Sequence, residues 1–138
     1  MKQLKKSGVY QASNVTFDPS QIEARSYKWW VFVKVIGGKV VFNEYPYSNT
    51  TRRHQAKVKT LMNDLGIKID YVVSTRESLD HSQVLNIAIE NINKEILDQQ
   101  DIISSKHTKQ VTKQRAQQTI IELNNKKQSL IKFINKGV

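Results

Sequence analysis

The chain has 138 residues, no cysteine, and 22 basic against 12 acidic side chains, for a formal net charge of +10. This length fits one domain with a modest core, and the lack of thiols excludes disulfides, thiol nucleophiles and thiolate metal sites. The three histidines lie too far apart for an HxxxH pair, so we expect no metal and no cofactor. No apolar run of about 18 residues and no secretory signal is visible, so we expect a cytoplasmic protein without a membrane span.

The charge changes sign along the chain. Residues 1–60 carry 11 basic and 3 acidic side chains, residues 61–103 carry 3 and 8, and residues 104–138 carry 8 and 1. A strongly basic chain favours a nucleic-acid partner, but an acidic segment and a basic one can also satisfy each other across a helical hairpin or between subunits. Nucleic acid therefore remains an alternative partner.

The stretch YKWWVFVKVIGGKVVFNEYPY, residues 27–47, predicts a β-hairpin around Gly37 and Gly38, because both central residues of a type I′ turn need positive φ. Ile36 then pairs with Lys39, and strict alternation assigns the two faces. The predicted core face carries Trp29, Val31, Val33, Val35, Val40 and Phe42. The other face suits a subunit interface or the stacking of a planar ring, and it carries Lys28, Trp30, Phe32, Lys34, Val41, Asn43, Tyr45 and Tyr47.

A helix is predicted directly after the hairpin, capped by Ser48, Asn49 or Thr50 and ending at Gly66. Its first turn brings backbone N–H groups together with Thr51, Arg52 and Arg53, a combination that stabilises a phosphate. The alternative is that the hydroxyls only cap the helix and the arginines are solvated or paired with Glu44 or Asp64. The apolar stripe of the helix is His54, Val58, Leu61, Met62 and Leu65, so we interpret His54 as a packed core residue.

The rest of the chain predicts one strand and two helices. IKIDYVV, residues 67–73, alternates as a strand that joins the sheet, and GVYQASNVTF, residues 8–17, is a weaker strand candidate. Apolar residues at 4-3-4 spacing predict two amphipathic helices joined by the polar SSKHTK, residues 104–109. The first stripe is Leu85, Ile89, Ile92, Ile96 and Ile103, and the second is Ala116, Ile120, Leu123, Leu130 and Ile134.

We therefore expect an α+β fold: an antiparallel β-sheet with a central β-hairpin, one helix after it, and a C-terminal antiparallel helical hairpin. The expected single domain has a β-hairpin/helix/strand part at residues 1–76 and a helical part at 77–138. Ile121, Ile131 and Phe133 widen the last helix's apolar arc beyond a two-helix seam, which predicts a homo-oligomer. No GxSxG, HExxH, Walker-type loop or paired carboxylates indicate catalysis, so we expect a binding protein and not an enzyme.

The stretch RSYKWWVFVKVIGGKVVFNEYPYSNTTRRHQ, residues 25–55, followed by a helix, IDYVV and a helical tail, resembles the phage Thoeris anti-defence family, the first-described type of nucleotide sponge. The resemblance covers residues 25–73. It implies a non-enzymatic oligomer, built from dimers, that works in the cytoplasm of an infected bacterium. Such a protein sequesters the cyclic ADP-ribose isomers made by TIR-domain proteins and releases them intact on denaturation. Some relatives also hold cyclic oligonucleotides at a separate site.

The candidate ligand-binding residues follow from what a cyclic nucleotide needs. An adenine needs an aromatic or guanidinium plane, a pyrophosphate needs arginine and hydroxyl donors, and a ribose needs amides. Two alternatives remain: a single-stranded nucleic-acid binder that uses the same aromatic face, and a protein-interaction inhibitor that acts through its amphipathic helices. The candidates are Arg25, Lys28, Trp30, Phe32, Asn43, Tyr45, Tyr47, Ser48, Thr50, Thr51, Arg52, Arg53 and Arg115.

Overall fold

A computed structural model describes residues 1–136 and shows an α+β architecture, a seven-stranded mixed sheet with three helices. The chain divides into two compact units, Met1–Val84 and Leu85–Val138. The strands, all in the first unit, are β1 (Lys2–Gln3), β2 (Tyr10–Ala12), β3 (Val15–Asp18), β4 (Glu23–Ser26), β5 (Trp30–Ile36), β6 (Lys39–Asn43) and β7 (Tyr71–Val73). The helices are α1 (Asn49–Asp64), α2 (Val84–Ser104) and α3 (Gln110–Asn135).

The sheet is larger than the sequence predicts. Its strands lie side by side in chain order, and β1 to β6 are antiparallel neighbours. Only β7 is parallel to its neighbour β6, because α1 forms the crossover between them. The predicted strand over 67–73 is shorter, since the Ile67 amide still bonds the Met62 carbonyl at the end of α1 and pairing with β6 begins near Asp70.

The turn between β5 and β6 has the geometry that its two glycines require. Gly37 and Gly38 have φ of 56° and 79°, which only glycine adopts without steric cost. Ile36 lies opposite Lys39, and the ladder continues to Val33 opposite Phe42. Near the turn, the register is therefore the one that the sequence predicts.

A β-bulge further along β5 changes which residues share a face. On β4, Ala24 lies opposite Val33, but the next residue, Arg25, lies opposite Val31. Phe32 is thus the extra residue of the bulged strand, and alternation is interrupted there. Beyond the bulge, Trp30 lies opposite Ser26, on the same face as Ala24 and Val33. The face assignment from strict alternation is therefore wrong on the N-terminal side of Phe32.

The core of the first unit lies between this sheet face and α1. Val58 and Met62 of α1 belong to one buried cluster with residues from β3 to β6: Val15, Phe17, Ala24, Trp30, Phe32, Val33, Val40 and Phe42. By contrast, the Trp29 and Val35 side chains, which were predicted to face the core, are 55% and 37% exposed. The two adjacent tryptophans have therefore exchanged the roles that the pattern predicts.

Helix α1 is confirmed, with Ser48 as its N-cap. The Ser48 hydroxyl accepts a hydrogen bond from the Thr51 amide at 3.1 Å and donates one to the Thr51 hydroxyl at 3.0 Å. Gly66 follows the helix with φ of 72°, as expected for a helix end. His54 is 3% exposed, which confirms it as a packed core residue.

The second unit contains most of α2 and all of α3. Buried side chains recur along one stripe of each helix: Leu85, Ala88, Ile92 and Ile96 on α2, and Ala116, Leu130 and Phe133 on α3. Three large apolar side chains stay more than half exposed, namely Leu97, Val111 and Ile121. Among the described residues, neither helix has a stretch long and apolar enough to cross a membrane.

Candidate functional site

A strained turn between β4 and β5 builds one side of the candidate site. Tyr27 and Lys28 both have positive φ, 54° and 68°, a conformation that is uncommon for residues other than glycine. The Tyr27 amide bonds the Asn14 carbonyl at 2.7 Å, and this contact holds the turn against the neighbouring hairpin. Such strain persists only where the surroundings enforce it, and it is frequent at ligand sites. The turn leaves the Tyr27 and Trp29 side chains 44% and 55% exposed.

An aromatic cavity of about 180 Å³ lies between this turn and the N-terminus of α1. The Tyr47 ring closes it from the chain segment after β6, with its centroid 5.8 Å from that of Trp29 and 5.6 Å from that of Trp30. Three aromatic rings with large exposed areas thus surround a small concave space. The lining residues are Ser26, Tyr27, Trp29, Trp30, Tyr47, Ser48 and Thr51.

A second cleft of about 300 Å³ shares Trp29 and Tyr47 with the aromatic cavity. The Arg76 guanidinium lies 5.4 Å from the Tyr47 ring centroid, and a hydrogen bond with Tyr47 raises the pKa of Arg76, so the group stays charged. The other lining residues of this cleft are Glu77, Ser78, Asp80 and His81. The Arg76 cation can donate hydrogen bonds to a phosphate, and the two carboxylates beside it can accept hydrogen bonds from ribose hydroxyls.

The segment that carries Arg76 is tied to the sheet by hydrogen bonds. The Trp30 indole N–H donates to the Arg76 carbonyl at 2.9 Å, and the Val31 amide donates to the Ser78 hydroxyl at 2.8 Å. The Leu79 amide returns a bond to the Val31 carbonyl at 2.8 Å. Because both ends of the segment are fixed, the Arg76 side chain starts from a rigid backbone.

Asn43 fixes the same segment and is fully satisfied by the protein. Its Nδ2 group donates to the carbonyls of Thr75 and Glu77, at 2.8 and 3.2 Å. Its Oδ1 accepts from the amides of Tyr45 and Thr75, both at 3.1 Å. These four bonds exhaust the capacity of a carboxamide, so no donor or acceptor remains for a ligand. The prediction that Asn43 contacts ligand is corrected: it positions the Arg76 segment.

Burial also corrects the predicted stacking face. Trp30 and Phe32 are 2% and 0% exposed, and their rings stack on each other with centroids 6.0 Å apart. The bulge turns Trp30 into the core, so only part of its ring reaches the aromatic cavity. Phe32 lies deeper and lines neither the aromatic cavity nor the Arg76 cleft. The prediction that these two rings form an exposed stacking platform is therefore wrong.

The structure brings together only some of the remaining candidates. Tyr47, Ser48 and Thr51 line the aromatic cavity. Lys28 and Tyr45 are not lining residues but are close in the chain to residues that line the aromatic cavity. Lys28 belongs to the strained turn, and the Tyr45 ring centroid is 6.4 Å from that of Tyr47. Thr50 and Arg52 lie in the first turn of α1 and Arg53 follows it, and none of the three lines either cavity. Arg25 is ion-paired with Glu23 at 2.7 Å, and Arg115 is an exposed residue of α3 in the other unit.

Eight lining residues of the two spaces are absent from the sequence-based candidates: Ser26, Tyr27 and Trp29 in the aromatic cavity, and Arg76, Glu77, Ser78, Asp80 and His81 in the Arg76 cleft. Strict alternation along β5 predicts that Trp29 faces the core, because no sequence signal indicates the bulge at Phe32. Arg76 follows a short strand in a polar loop, and nothing local distinguishes it from other surface arginines. The signal available for Tyr27 and Trp29 was their place between two strands that lie close in the chain, where tight turns occur.

A third concavity, a groove of about 590 Å³, lies along the other end of α1. Its lining includes Met62, Ile67 and Ile69 with the amines of Lys59 and Lys68. No aromatic ring belongs to its lining in the described part of the chain, so it offers no stacking surface. Residues 1–136 also contain no group of three side chains suited to a metal ion.

Comparison of the chain with protein-family models, with curated proteins and with solved structures found no match. Function is therefore inferred from the geometry of the aromatic cavity and the Arg76 cleft, together with the sequence resemblance of residues 25–73.

Proposed function

We propose that the chain binds an immune signal of the cyclic ADP-ribose type, or a cyclic oligonucleotide, and sequesters it without degrading it in the cytoplasm of an infected bacterium. The observation that carries the proposal is the aromatic cavity formed by Tyr27, Trp29 and Tyr47, which continues into a cleft that holds Arg76. The ligand class comes from the resemblance of residues 25–73 to phage anti-defence proteins. The geometry supports a ligand with a planar ring next to hydroxyl and phosphate groups.

The sizes of the two spaces fit different parts of such a ligand. The cavity of about 180 Å³ is below the roughly 300 to 1,000 Å³ typical of whole small-molecule sites, so it suits one base and not a dinucleotide. A base stacked on an aromatic side chain gains about 1 to 3 kcal/mol. The adjoining cleft then takes the ribose against Glu77 and Asp80 and a phosphate against Arg76.

The first turn of α1 offers a second place for phosphate. Thr50, Arg52 and Arg53 lie near the start of α1, next in the chain to Ser48 and Thr51 of the cavity wall. The Thr51 and Arg52 amides are bonded to the Ser48 hydroxyl and carbonyl, so the two guanidiniums are the donors that a phosphate could contact. Within residues 1–136, no ion pair is present at either arginine. A phosphate bound there would be a separate contact from the one at Arg76, because neither arginine lines the aromatic cavity or the Arg76 cleft.

We also propose that α2 and α3 form an antiparallel hairpin and that the chain assembles as a dimer or as a larger assembly of dimers. Leu97, Val111 and Ile121 are 60%, 58% and 54% exposed on helices of 21 and 26 residues, and a second subunit would cover this apolar surface. Light scattering at micromolar concentration should then give a mass above the 16.0 kDa of one chain. A mass of one chain would remove this part of the proposal.

The decisive experiment separates sequestration from turnover. The purified protein is incubated with a cyclic ADP-ribose isomer, the loss of free ligand is measured after filtration, and the protein is then unfolded by heat. Chromatography should recover the intact ligand in an amount stoichiometric with protein. Recovery of a cleaved product would refute sequestration and indicate an enzyme, and undiminished free ligand would refute binding.

A single-stranded nucleic-acid binder is the second candidate, because Tyr27, Trp29 and Tyr47 are exposed beside the cations Lys28 and Arg76. Rings and cations of this kind also form platforms for successive bases. This candidate predicts that the affinity for an oligonucleotide falls steeply with salt, since bound counterions are released. A small cyclic ligand makes fewer phosphate contacts, so its affinity should depend on salt much less.

A further inference from the structure

One exposed side of α3 is nearly free of charge. Residues three or four apart share a side of a helix, and the side that carries Ile121 continues in both directions through exposed carboxamides. Ile121 itself is 54% exposed. This surface, the amide stripe, consists of Gln110, Gln114, Gln117, Gln118, Ile121, Asn124, Asn125, Gln128, Lys132 and Asn135.

The charged side chains of α3 lie elsewhere around the helix. Only Lys132, near one end, belongs to the amide stripe, and the other charged residues are Lys113, Arg115, Glu122, Lys126 and Lys127. Residues 104–138 carry 8 basic side chains and 1 acidic side chain, so two copies that met through the charged sides of α3 would bring like charges together. The amide stripe is the side on which two copies can approach without that cost.

The amide stripe is also complementary to itself. A carboxamide is both a donor and an acceptor, so it can pair with a carboxamide of a second copy, and a two-fold interface requires such self-complementarity because each patch meets itself. In an antiparallel pair of α3 helices centred on Ile121, residues at equal distances before and after Ile121 come level. The levels that meet are Gln114 with Gln128, and Gln117 and Gln118 with Asn124 and Asn125. Each stripe residue within seven positions of Ile121 thus meets an amide.

The single lysine of the amide stripe favours the antiparallel direction. In an antiparallel pair, Lys132 of one copy comes level with Gln110 of the other, which is neutral. A parallel pair would bring the two Lys132 side chains together, and like charges that face each other across an interface are unfavourable.

We infer that the amide stripe is the contact surface for a second copy of the chain, with the two α3 helices antiparallel about a two-fold axis at Ile121. The inference rests on the proposed assembly and names its surface and symmetry. The two Ile121 side chains then meet at the axis and form an apolar centre within a polar surround. Interfaces commonly concentrate their binding energy in such a central residue.

Introduced cysteines test which positions meet, because the chain has none of its own. Ile121→Cys should give a covalent dimer with a short bismaleimide, since a residue on the axis faces its own copy. Gln114→Cys should not, because its two copies would lie about 21 Å apart along the helices. A chain with both Gln114→Cys and Gln128→Cys should cross-link again. A parallel pair would cross-link Gln114→Cys to itself, and that result would overturn the inference.

Charge substitutions test the same pairing without cysteine. Gln114→Lys should lower the mass measured by light scattering about twofold or more, because each new lysine enters the interface without a partner. Adding Gln128→Glu to the same chain should restore the mass, since each lysine then faces a glutamate of the second copy. Thr112→Lys is the matched control: Thr112 is exposed, lies half a turn around α3 from Ile121, and should leave the mass unchanged. An unchanged mass for Gln114→Lys would refute the inference.

The mass of the unmodified chain separates failure of the inference from failure of the proposed assembly. If light scattering gives the 16.0 kDa of one chain, both fail. If the mass is larger but Ile121→Cys does not cross-link, the copies meet through another surface and only the inference is refuted. Ligand binding in the aromatic cavity is tested separately by the recovery experiment.

Discussion

The adjacent residues Trp29 and Trp30 should respond in opposite ways to replacement by alanine. Trp29 is 55% exposed and borders both the aromatic cavity and the Arg76 cleft. Its loss removes one stacking surface, so nucleotide affinity should fall by about 1 to 3 kcal/mol, or roughly five- to a hundredfold. The free energy of unfolding should change by no more than about 0.5 kcal/mol, as is usual for an exposed residue.

Trp30 is 2% exposed, stacks on Phe32 and donates its indole N–H to the Arg76 carbonyl. Trp30→Ala should therefore lower the free energy of unfolding by about 3 to 5 kcal/mol, the usual cost of removing a large buried ring. Urea denaturation measures stability and calorimetry measures binding, with Trp29→Phe as the control that keeps a stacking surface. If Trp29→Ala binds as tightly as the unmodified chain, or if Trp30→Ala is equally stable, the assignment of the two rings is refuted.

Four further outcomes are expected. Arg76→Ala should weaken nucleotide binding about tenfold or more in calorimetry, with Arg76→Lys intermediate, because a charged hydrogen bond to phosphate is lost. Arg52→Ala combined with Arg53→Ala should weaken binding by a similar factor. Unchanged binding would show that both arginines are solvated and do not contact the ligand. The free energy of unfolding should fall as pH drops below about 6.5 in urea titrations, since unfolded chains take up a proton there that buried His54 does not, and His54→Gln should flatten this dependence. Ile121→Glu should lower the mass measured by light scattering if α3 holds the assembly together.

Features set by neighbouring residues were predicted well from the sequence. The Gly37-Gly38 pair requires a turn with positive φ, and the register beside it follows at once. The serine before α1 and the glycine after it mark the ends of that helix within a residue or two. The sequence predicts only one weak strand over residues 8–17, where β2 and most of β3 lie, and it does not predict β1 or β4, because these strands are only two to four residues long.

The faces of β5 could not be predicted because they depend on a distant strand. Because of the bulge at Phe32, the consecutive residues Ala24 and Arg25 of β4 pair with Val33 and Val31, which are two residues apart on β5. Such a choice is made by pairing between strands and leaves no periodic mark in either one. A single extra residue moved Trp30 into the core and left Trp29 at the surface, which exchanged the structural and the candidate functional ring.

The sequence predicts part of the lining of the aromatic cavity but not the cation of the adjoining cleft. An aromatic and cationic surface next to the N-cap of α1 was expected, and Tyr47, Ser48 and Thr51 belong to it. The cation of the adjoining cleft is Arg76, which is 33 residues away from Asn43, the side chain that fixes its segment. The Asn43 amide, which was predicted to contact a ribose, instead makes four hydrogen bonds to its own chain, because buried backbone groups of the loop must be hydrogen-bonded.

The strain in the Tyr27-Lys28 turn and the satisfied bonds around it have a common consequence for binding. Tyr27 is held by the Asn14 carbonyl, and the Arg76 segment of the adjoining cleft is held by Asn43 and by the Trp30 indole. The Tyr27 turn and the Arg76 segment are therefore both fixed to the sheet, and little of their backbone freedom remains to be lost when a ligand enters. Association usually costs free energy for ordering loops and side chains, and a wall that is already ordered avoids most of it. If a base binds in the cavity of about 180 Å³, as proposed, its few contacts are therefore not offset by the cost of ordering these two segments.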